Sequence, residues 1–187
     1  VSKGQAGNYR IIAGDWRGSR IPIVDQPGLR PTPDRVRETL FNWLAPYLPG
    51  ARCLDLFAGA GALGLEAASR GAARVVMVGS ARTVILQLQE TVKRLQAESV
   101  ELVQSDALMF LQGQPAAYDV VFLDPPYDSG LLDPVLQRLI PDWVVPGGLL
   151  YLEHAARGAT PPLPEGWEYL RSKRTSQVGY HLVRGVV

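Results

Sequence analysis

Two short stretches of this 187-residue chain carry residue types whose spacing points to chemistry. The first is Asp55-Leu-Phe57-Ala-Gly59-Ala-Gly61-Ala-Leu-Gly64, a G-x-G-x-x-G run that follows an apolar stretch and opens a helical one. Glycine is needed where a strand turns sharply into a helix and the backbone must come close to a ligand, because a Cβ would obstruct both. Nicotinamide, flavin and S-adenosylmethionine (SAM) sites all use variants of this loop. Two neighbours discriminate among them. Asp55, four residues before the first glycine, suits a ligand with an ammonium group better than a pyrophosphate. A dinucleotide site also wants an acid about 20 residues further on to hold a ribose, and Gly79-Ser80 stand there instead. The alternative without any ligand is a glycine-rich strand-to-helix turn.

The second stretch is Asp124-Pro125-Pro126-Tyr127, directly after Val120-Val121-Phe122-Leu123. In an open α/β sheet this is the carboxyl end of a strand, where ligands bind. Two prolines restrict the loop backbone, so the Asp124 carboxylate and the local carbonyls hold one geometry. Tyr127 offers a ring face for stacking on a planar base. Alone, the motif reads equally well as a stiff turn capped by an aspartate. Paired with a glycine loop on another strand, it marks a reaction centre.

The elements that must position these residues follow from periodicity and turn chemistry. Near-continuous apolar runs predict strands over 53–57, 74–78, 100–104, 119–123 and 149–153. Helical patterns fall between them over 63–70, 81–96, 107–111 and 131–140, with Val84, Ile85, Leu88, Val92 and Leu95 inward on the second. Such alternation indicates a mostly parallel sheet covered on both faces. The tail, with strands over 167–172 and 179–184 and no helix between, adds an antiparallel hairpin at one edge. Ahead of the alternation, strands over 9–12 and 19–24 flank a turn at 14–18, and a helix with Val36, Leu40, Phe41 and Leu44 inward opens at Thr32, its expected N-cap. The division this implies is 1–32, a flexible arm and hairpin extension, and 33–187, the α/β domain. His154 and His181 fall on predicted edge strands without metal-ligand spacing, Cys53 reads as core, and no metal is expected.

Composition narrows the classes further. Apolar residues make up 47% and charged residues 20% of the chain, which has one cysteine. That excludes pervasive disorder and a disulfide scaffold, and no run approaches the roughly 20 apolar residues of a membrane span. The expectation is a cytoplasmic protein acting as a monomer. Net charge is +1, but residues 1–40 hold seven Lys/Arg against four acids and residues 41–150 hold seven against eleven. A basic head on an acidic body suits a polyanion gripped at one edge, and equally well a solvated surface. Arg10, Arg17, Arg20, Arg30 and Arg35, with Trp16 in a basic turn, are the expected nucleic-acid contacts, and Arg37 is placed to pair with Asp34 or Glu38.

Together the D-x-F-x-G-x-G loop and the D-P-P-Y motif resemble those of SAM-dependent methyltransferases that act on planar exocyclic amines. Residues 10–184 look like the RsmD type, the 16S rRNA guanine-N2 methyltransferases. The specific part is Leu29-Arg-Pro-Thr32 followed by Asp34-Arg-Val-Arg-Glu-Thr-Leu-Phe-Asn-Trp-Leu44, which methyltransferases in general lack. The resemblance implies a Rossmann-like class I methyltransferase sheet and SAM as cofactor. It implies methyl transfer to N2 of guanine 966, with 16S rRNA or the small ribosomal particle as partner. It implies a reaction centre at Asp124, Pro125, Pro126 and Tyr127, and cofactor contacts at Asp55, Phe57, Gly59, Gly61, Gly64, Ser80, Asp106 and Ala107. Asp106 would hold the adenine amine, and equally caps a helix. The chain departs from the family at the end of the second strand of the alternation, where Met77-Val78-Gly79-Ser80 offers no ribose-binding acid and Ser80 is the substitute. Two rival readings are another D-P-P-Y enzyme acting on adenine N6 or protein glutamine, and a catalytically weak RNA-binding assembly factor. The chain shows no added target-recognition domain, which disfavours a sequence-specific DNA enzyme, and retention of both Asp55 and Asp124 disfavours the assembly factor.

Overall fold

The computed structural model describes residues 7–29 and 31–186; residues 1–6 of the expected arm, and Arg30 among the expected RNA contacts, lie outside them. Five parallel strands, β3 (Arg52–Asp55), β4 (Arg74–Gly79), β5 (Val100–Gln104), β6 (Tyr118–Leu123) and β7 (Val144–Ala155), alternate with four helices. These are α2 (Ala62–Ser69), α3 (Arg82–Leu95), α4 (Ala107–Phe110) and α5 (Leu132–Asp142). Two antiparallel strands, β8 (Trp167–Arg174) and β9 (Val178–Gly185), complete a seven-stranded sheet of order β5-β4-β3-β6-β7-β9-β8. The apolar runs of β3, β4 and β6 are buried because side chains on one face join a core cluster with α1 (Asp34–Leu44) and α2, and those on the other join a second cluster with α4 and α5. From β3 the chain steps outward to β4 and β5, then returns to place β6 on the other side. The carboxyl ends of β3 and β6 therefore flank the topological switch point where such sheets bind ligands. Asp55 ends β3 and Asp124 follows β6, so topology alone brings together two residues 69 positions apart.

The N-terminal hairpin, β1 (Asn8–Arg10) and β2 (Arg20–Pro22), pairs Tyr9 with Ile21. Both residues are buried in the same cluster as Leu40 and Phe41 of α1 and Leu65 of α2. Glu66 of α2 fixes this arrangement. Wholly buried, its carboxylate accepts from the backbone N–H of Ile12 (2.9 Å) and Ala13 (3.0 Å). It also accepts from Arg70 Nε (2.8 Å) and Arg37 Nη1 (3.4 Å). Ser69 adds a bond from its hydroxyl to the Ala13 carbonyl, 2.6 Å. Gly14, at φ +86°, lies so close that a Cβ there would fall 1.8 Å from the Ser69 carbonyl oxygen, so only glycine fits.

Several local expectations are corrected. Thr32 does not cap α1: the helix starts after an extended Pro33 with no side-chain cap, and Thr32 is buried toward Asp124. Arg37 does bond Asp34 (2.6 Å), but it is wholly buried rather than superficial, because Glu66 supplies a buried countercharge. On α3 Val92 and Leu95 do pack against the core, half-buried, and Thr91 joins them as a fully buried residue, three places after Leu88. His154 and His181 stand on interior strands, because β9 is inserted between β7 and β8, and their Nε2 atoms meet at 2.9 Å. The hairpin strands are shorter than predicted, three residues each, and β7 begins earlier, at Val144. No helix among the described residues is long and apolar enough to cross a membrane.

Glu66→Ala leaves Arg37 buried with a lost countercharge and two backbone N–H groups without their acceptor. The expected cost is about 3–5 kcal/mol, read from urea unfolding. A loss below about 1 kcal/mol would show that apolar packing alone anchors the hairpin.

Candidate active site

The first half of the site lies at the carboxyl ends of β3, β4 and β5. Asp55, 1% exposed, accepts from the Gly64 N–H at 3.0 Å and so holds the first turn of α2 against its own strand. Gly61 sits at the N-cap of α2 in the left-handed region, φ +82°. A Cβ at Gly61 would lie 2.6 Å from Leu88 Cδ2, and one at Gly64 2.7 Å from Met77 Cγ. Packing of the loop on α3 and β4 thus demands these two glycines, in addition to any ligand. Gly59 is constrained by its backbone, φ +49°. The Tyr9 hydroxyl donates to the Ala60 carbonyl at 2.9 Å, tying the N-terminal hairpin to the loop. Phe57 is half-buried against the second core cluster.

Burial pushes the Asp55 carboxyl up to about 7, although the N–H groups of Gly64 and Phe57 pull it down. A cationic group beside it would favour the ionised form, and a ligand bearing an ammonium meets that condition. Gly79 ends β4, Ser80 is exposed after it, and the Gly79 carbonyl accepts from Ser105 N–H at 3.0 Å, joining the ends of β4 and β5. Asp106 caps α4, accepting from Met109 N–H at 2.9 Å, and Ala107 beside it is buried. The strand order thus sets Asp55, Gly79-Ser80 and Asp106 on the ends of three adjacent strands.

The second half lies past β6. Asp124 is half-buried, Pro125 is buried, and Pro126 and Tyr127 are exposed. A cavity of about 120 Å³ opens beside this loop, lined by Pro125, Pro126, Tyr127, Glu153 and His154 among others. Burial is the main cause raising the Asp124 carboxyl well above the usual range, followed by the negative charges of Glu153 and Asp55. The neighbouring Thr32 side chain works the other way. Glu153 was not singled out by spacing or motif, and Thr32 was expected only as a helix cap. The trace of Glu153 in the sequence is a lone acid closing the apolar run Leu149-Leu-Tyr-Leu152, and Thr32 belongs to the Leu29-Arg-Pro-Thr block.

Among the described residues, the N-terminal basic residues make no bond to either half. The side chains of Arg10, Arg17, Arg20 and Arg35 are exposed, and among the described residues none of them pairs with an acid. Trp16 is half-buried and packs on the core.

A mostly parallel sheet with a glycine loop after β3 and Asp-Pro-Pro-Tyr after β6 is that of a class I SAM-dependent methyltransferase, with SAM as its cofactor. Residues 9–184 match the family described as "Conserved hypothetical protein 95". The chain belongs to this family, the RsmD-type methyltransferases. It is 45% identical over 178 residues to the Ribosomal RNA small subunit methyltransferase D of Escherichia coli (strain K12), covering 95% of this chain and 90% of that one. Identity to the protein of the same name from Haemophilus influenzae is 43% over 182 residues, 94% and 93% of the two chains. The solved structure of yhhF from Escherichia coli superposes with a TM-score of 0.90 at 42% identity, covering 96% of this chain and 99% of that one. SMU.776, solved in complex with SAH, shares the fold at 15% identity with a TM-score of 0.67, over 88% of this chain and 53% of that one.

The position lacking a ribose acid gives a direct test. Gly79 is outside the left-handed region, and a Cβ there would meet only the flexible Cδ1 of Ile85, at 3.3 Å. Gly79→Glu is therefore expected to fold and to tighten SAM binding by about tenfold, since hydrogen bonds to a charged group contribute about 1.5–3 kcal/mol and less when exposed. Titration calorimetry measures it, and weaker binding would show that Ser80 already fills the role.

Proposed function

We propose that this protein transfers the methyl group of SAM to the exocyclic N2 of a guanine in small-subunit 16S rRNA, the position numbered 966 by the family resemblance. The observation that carries this reading is the pair of carboxylates, Asp55 and Asp124, at the two sides of the switch point, with the exposed Tyr127 ring beside the second. The names of the RNA-methylating relatives support the substrate class.

Guanine N2 is a poor nucleophile because its lone pair delocalises into the ring. The Asp124 carboxylate and a carbonyl of the proline loop accept its two N–H bonds and favour the pyramidal form, in which the lone pair is available. Bound SAM supplies an electrophilic methyl group on a sulfonium. Rate is gained mainly from orientation, which holds reacting atoms about 3–3.5 Å apart. Tyr127 stacks on the base and fixes its plane. The same surroundings that raise the proton affinity of Asp124 suit it to take the proton that N2 releases. On the cofactor side, Asp55 faces the amino-acid end, with Phe57, Gly59, Gly61 and Gly64 forming the loop. Ser80 faces the ribose, and Asp106 with Ala107 the adenine.

The RNA, free or in the small ribosomal particle, is gripped by the segment 1–32 through Arg10, Trp16, Arg17, Arg20 and Arg30, and by Arg35 at the start of the 33–187 catalytic unit, which works as a monomer. Arginine's planar fork suits phosphate, and each phosphate neutralised releases counterions.

Asp124→Ala removes a partly buried acid from a cluster of acids, so folding and SAM affinity are expected to stay within about twofold. Methyl transfer is expected to fall by about 100-fold or more. The readout is N2-methylguanosine by mass spectrometry of rRNA from a strain lacking the gene, complemented with either form. Unchanged turnover in a folded variant would remove Asp124 from the mechanism. Arg17→Ala with Arg20→Ala is expected to weaken RNA binding and make its salt slope shallower by roughly one per lost phosphate contact, with SAM binding unchanged. An unaltered slope would move the RNA interface elsewhere.

A further inference from the structure

Glu153 plays no part in the mechanism above, yet it is built firmly into the site. The register of the sheet sets Leu152 of β7 beside Leu123 of β6, which puts Glu153 one step further, level with Asp124. Glu153 is 3% exposed. A carboxylate so placed is costly unless donors satisfy it, and here each oxygen has one: Tyr127 donates to Oε1 at 2.6 Å and Tyr151 to Oε2 at 2.7 Å. The two tyrosines differ in kind. Tyr151 is wholly buried, with its ring edge-on to Phe122, centroids 6.4 Å apart. Tyr127 is 46% exposed on the proline loop. The exposed ring that meets the base therefore hangs from an anchor set in the core.

We propose that Glu153 is a positioning residue of the methyl-transfer site: it tethers the Tyr127 ring through the hydroxyl, and its charge beside Asp124 makes that carboxylate the proton acceptor. This deepens the guanine-N2 reading and rests on it. The groups facing Asp124 are Glu153 and Tyr151 from β7, Tyr127 from its own loop, Asp55 from β3, and the Thr32 side chain from the segment before α1. Only Glu153 and Asp55 among them are carboxylates, and Glu153 acts the more strongly. The Tyr127 hydroxyl is itself held protonated, by burial first and then by its bond to Glu153, so it stays a donor across the working range. The sign follows. Activity needs Asp124 ionised, so it is lost as pH falls through the raised Asp124 value. Removing the Glu153 charge lowers that value.

The experiment compares Glu153→Gln and Tyr127→Phe with the wild-type protein. It measures methyl transfer from SAM to small ribosomal subunits prepared from a strain lacking the gene. Glu153→Gln keeps an acceptor oxygen and loses the charge, so the acid limb of kcat is expected to move to lower pH by about one unit. Tyr127→Phe keeps the ring and the Glu153 charge and loses the tether. KM for the subunits is expected to rise about fivefold and kcat to fall with the loss of orientation, with the acid limb in place. Thermal unfolding and SAM titration establish that each variant is folded, and Tyr127→Phe alters an exposed residue should Glu153→Gln fail to fold. An unmoved acid limb in folded Glu153→Gln, or an unmoved KM in Tyr127→Phe, overturns the proposal. If Asp124→Ala still turns over, the guanine-N2 mechanism fails first. If Asp124→Ala is inert and both new variants behave as wild type, only the role of Glu153 falls.

Discussion

A single buried carboxylate, Glu66, sets where the N-terminal segment and α1 sit on the α/β body. It receives two backbone N–H groups from the N-terminal segment, a guanidinium from α1 and another from its own helix. A buried ion pair contributes little net stability because desolvation offsets the attraction. What it enforces is geometry: with four donors converging, any displacement of the hairpin leaves a charge or an N–H group without a partner. The surrounding rings make the same joint from the apolar side, with Arg37 lying over Tyr9 and Arg70 over Phe41, each 5.1 Å from the ring centroid. Since α2 begins at the glycine loop, where Asp55 holds Gly64, one short helix is pinned at its start to the cofactor half and near its end to the N-terminal segment.

That joint explains why the N-terminal residues belong to the catalytic body despite preceding the α/β alternation. Tyr9 reaches the Ala60 carbonyl of the glycine loop, and Thr32 reaches Asp124. The exposed arginines of the hairpin are therefore carried at a fixed place relative to the reaction centre. A freely hinged arm would lose orientational freedom on each encounter with RNA; a hairpin sewn to α2 has lost it already on folding.

The parts of this architecture legible in the sequence are those written locally. Near-continuous apolar runs and period-3.6 patterns disclosed the alternation, glycine and proline marked the turns, and the two motifs pointed to both halves of the candidate site. The parts that stayed hidden depend on partners far along the chain. Glu66 meets Ile12 across 54 positions, and nothing in the neighbourhood of either residue names the other. Thr32 reads as a helix cap because local capping is a frequent use of threonine, and a tertiary partner claims it instead. His154 and His181 read as edge residues because hairpin spacing does not reveal that β9 inserts between β7 and β8. The glycines were legible in position but incompletely in reason: Gly64 answers to the Met77 side chain as much as to a ligand.

The electrostatics of the site follow from the same topology. The switch point gathers Asp55, Asp124 and Glu153 within mutual influence, an arrangement that like-charge repulsion opposes and that only fixed backbone and hydroxyl donors make tolerable. Such a cluster favours a cationic ligand and resists an anionic one, so it suits the sulfonium and ammonium groups of SAM and repels stray phosphate. The exposed arginines have the opposite sign and would, on the proposed reading, draw a polyanion over distances set by a screening length of about 8–10 Å. If the proposed RNA contacts hold, opposite fields let one small chain take a cation into its centre and hold RNA on its arginines, without either ligand competing for the other's place. On the proposed reading the base that enters between them is neutral, so neither field holds it; a stacked ring and a few fixed acceptors orient it, and the Asp124–Tyr127 loop has to be rigid as well as charged.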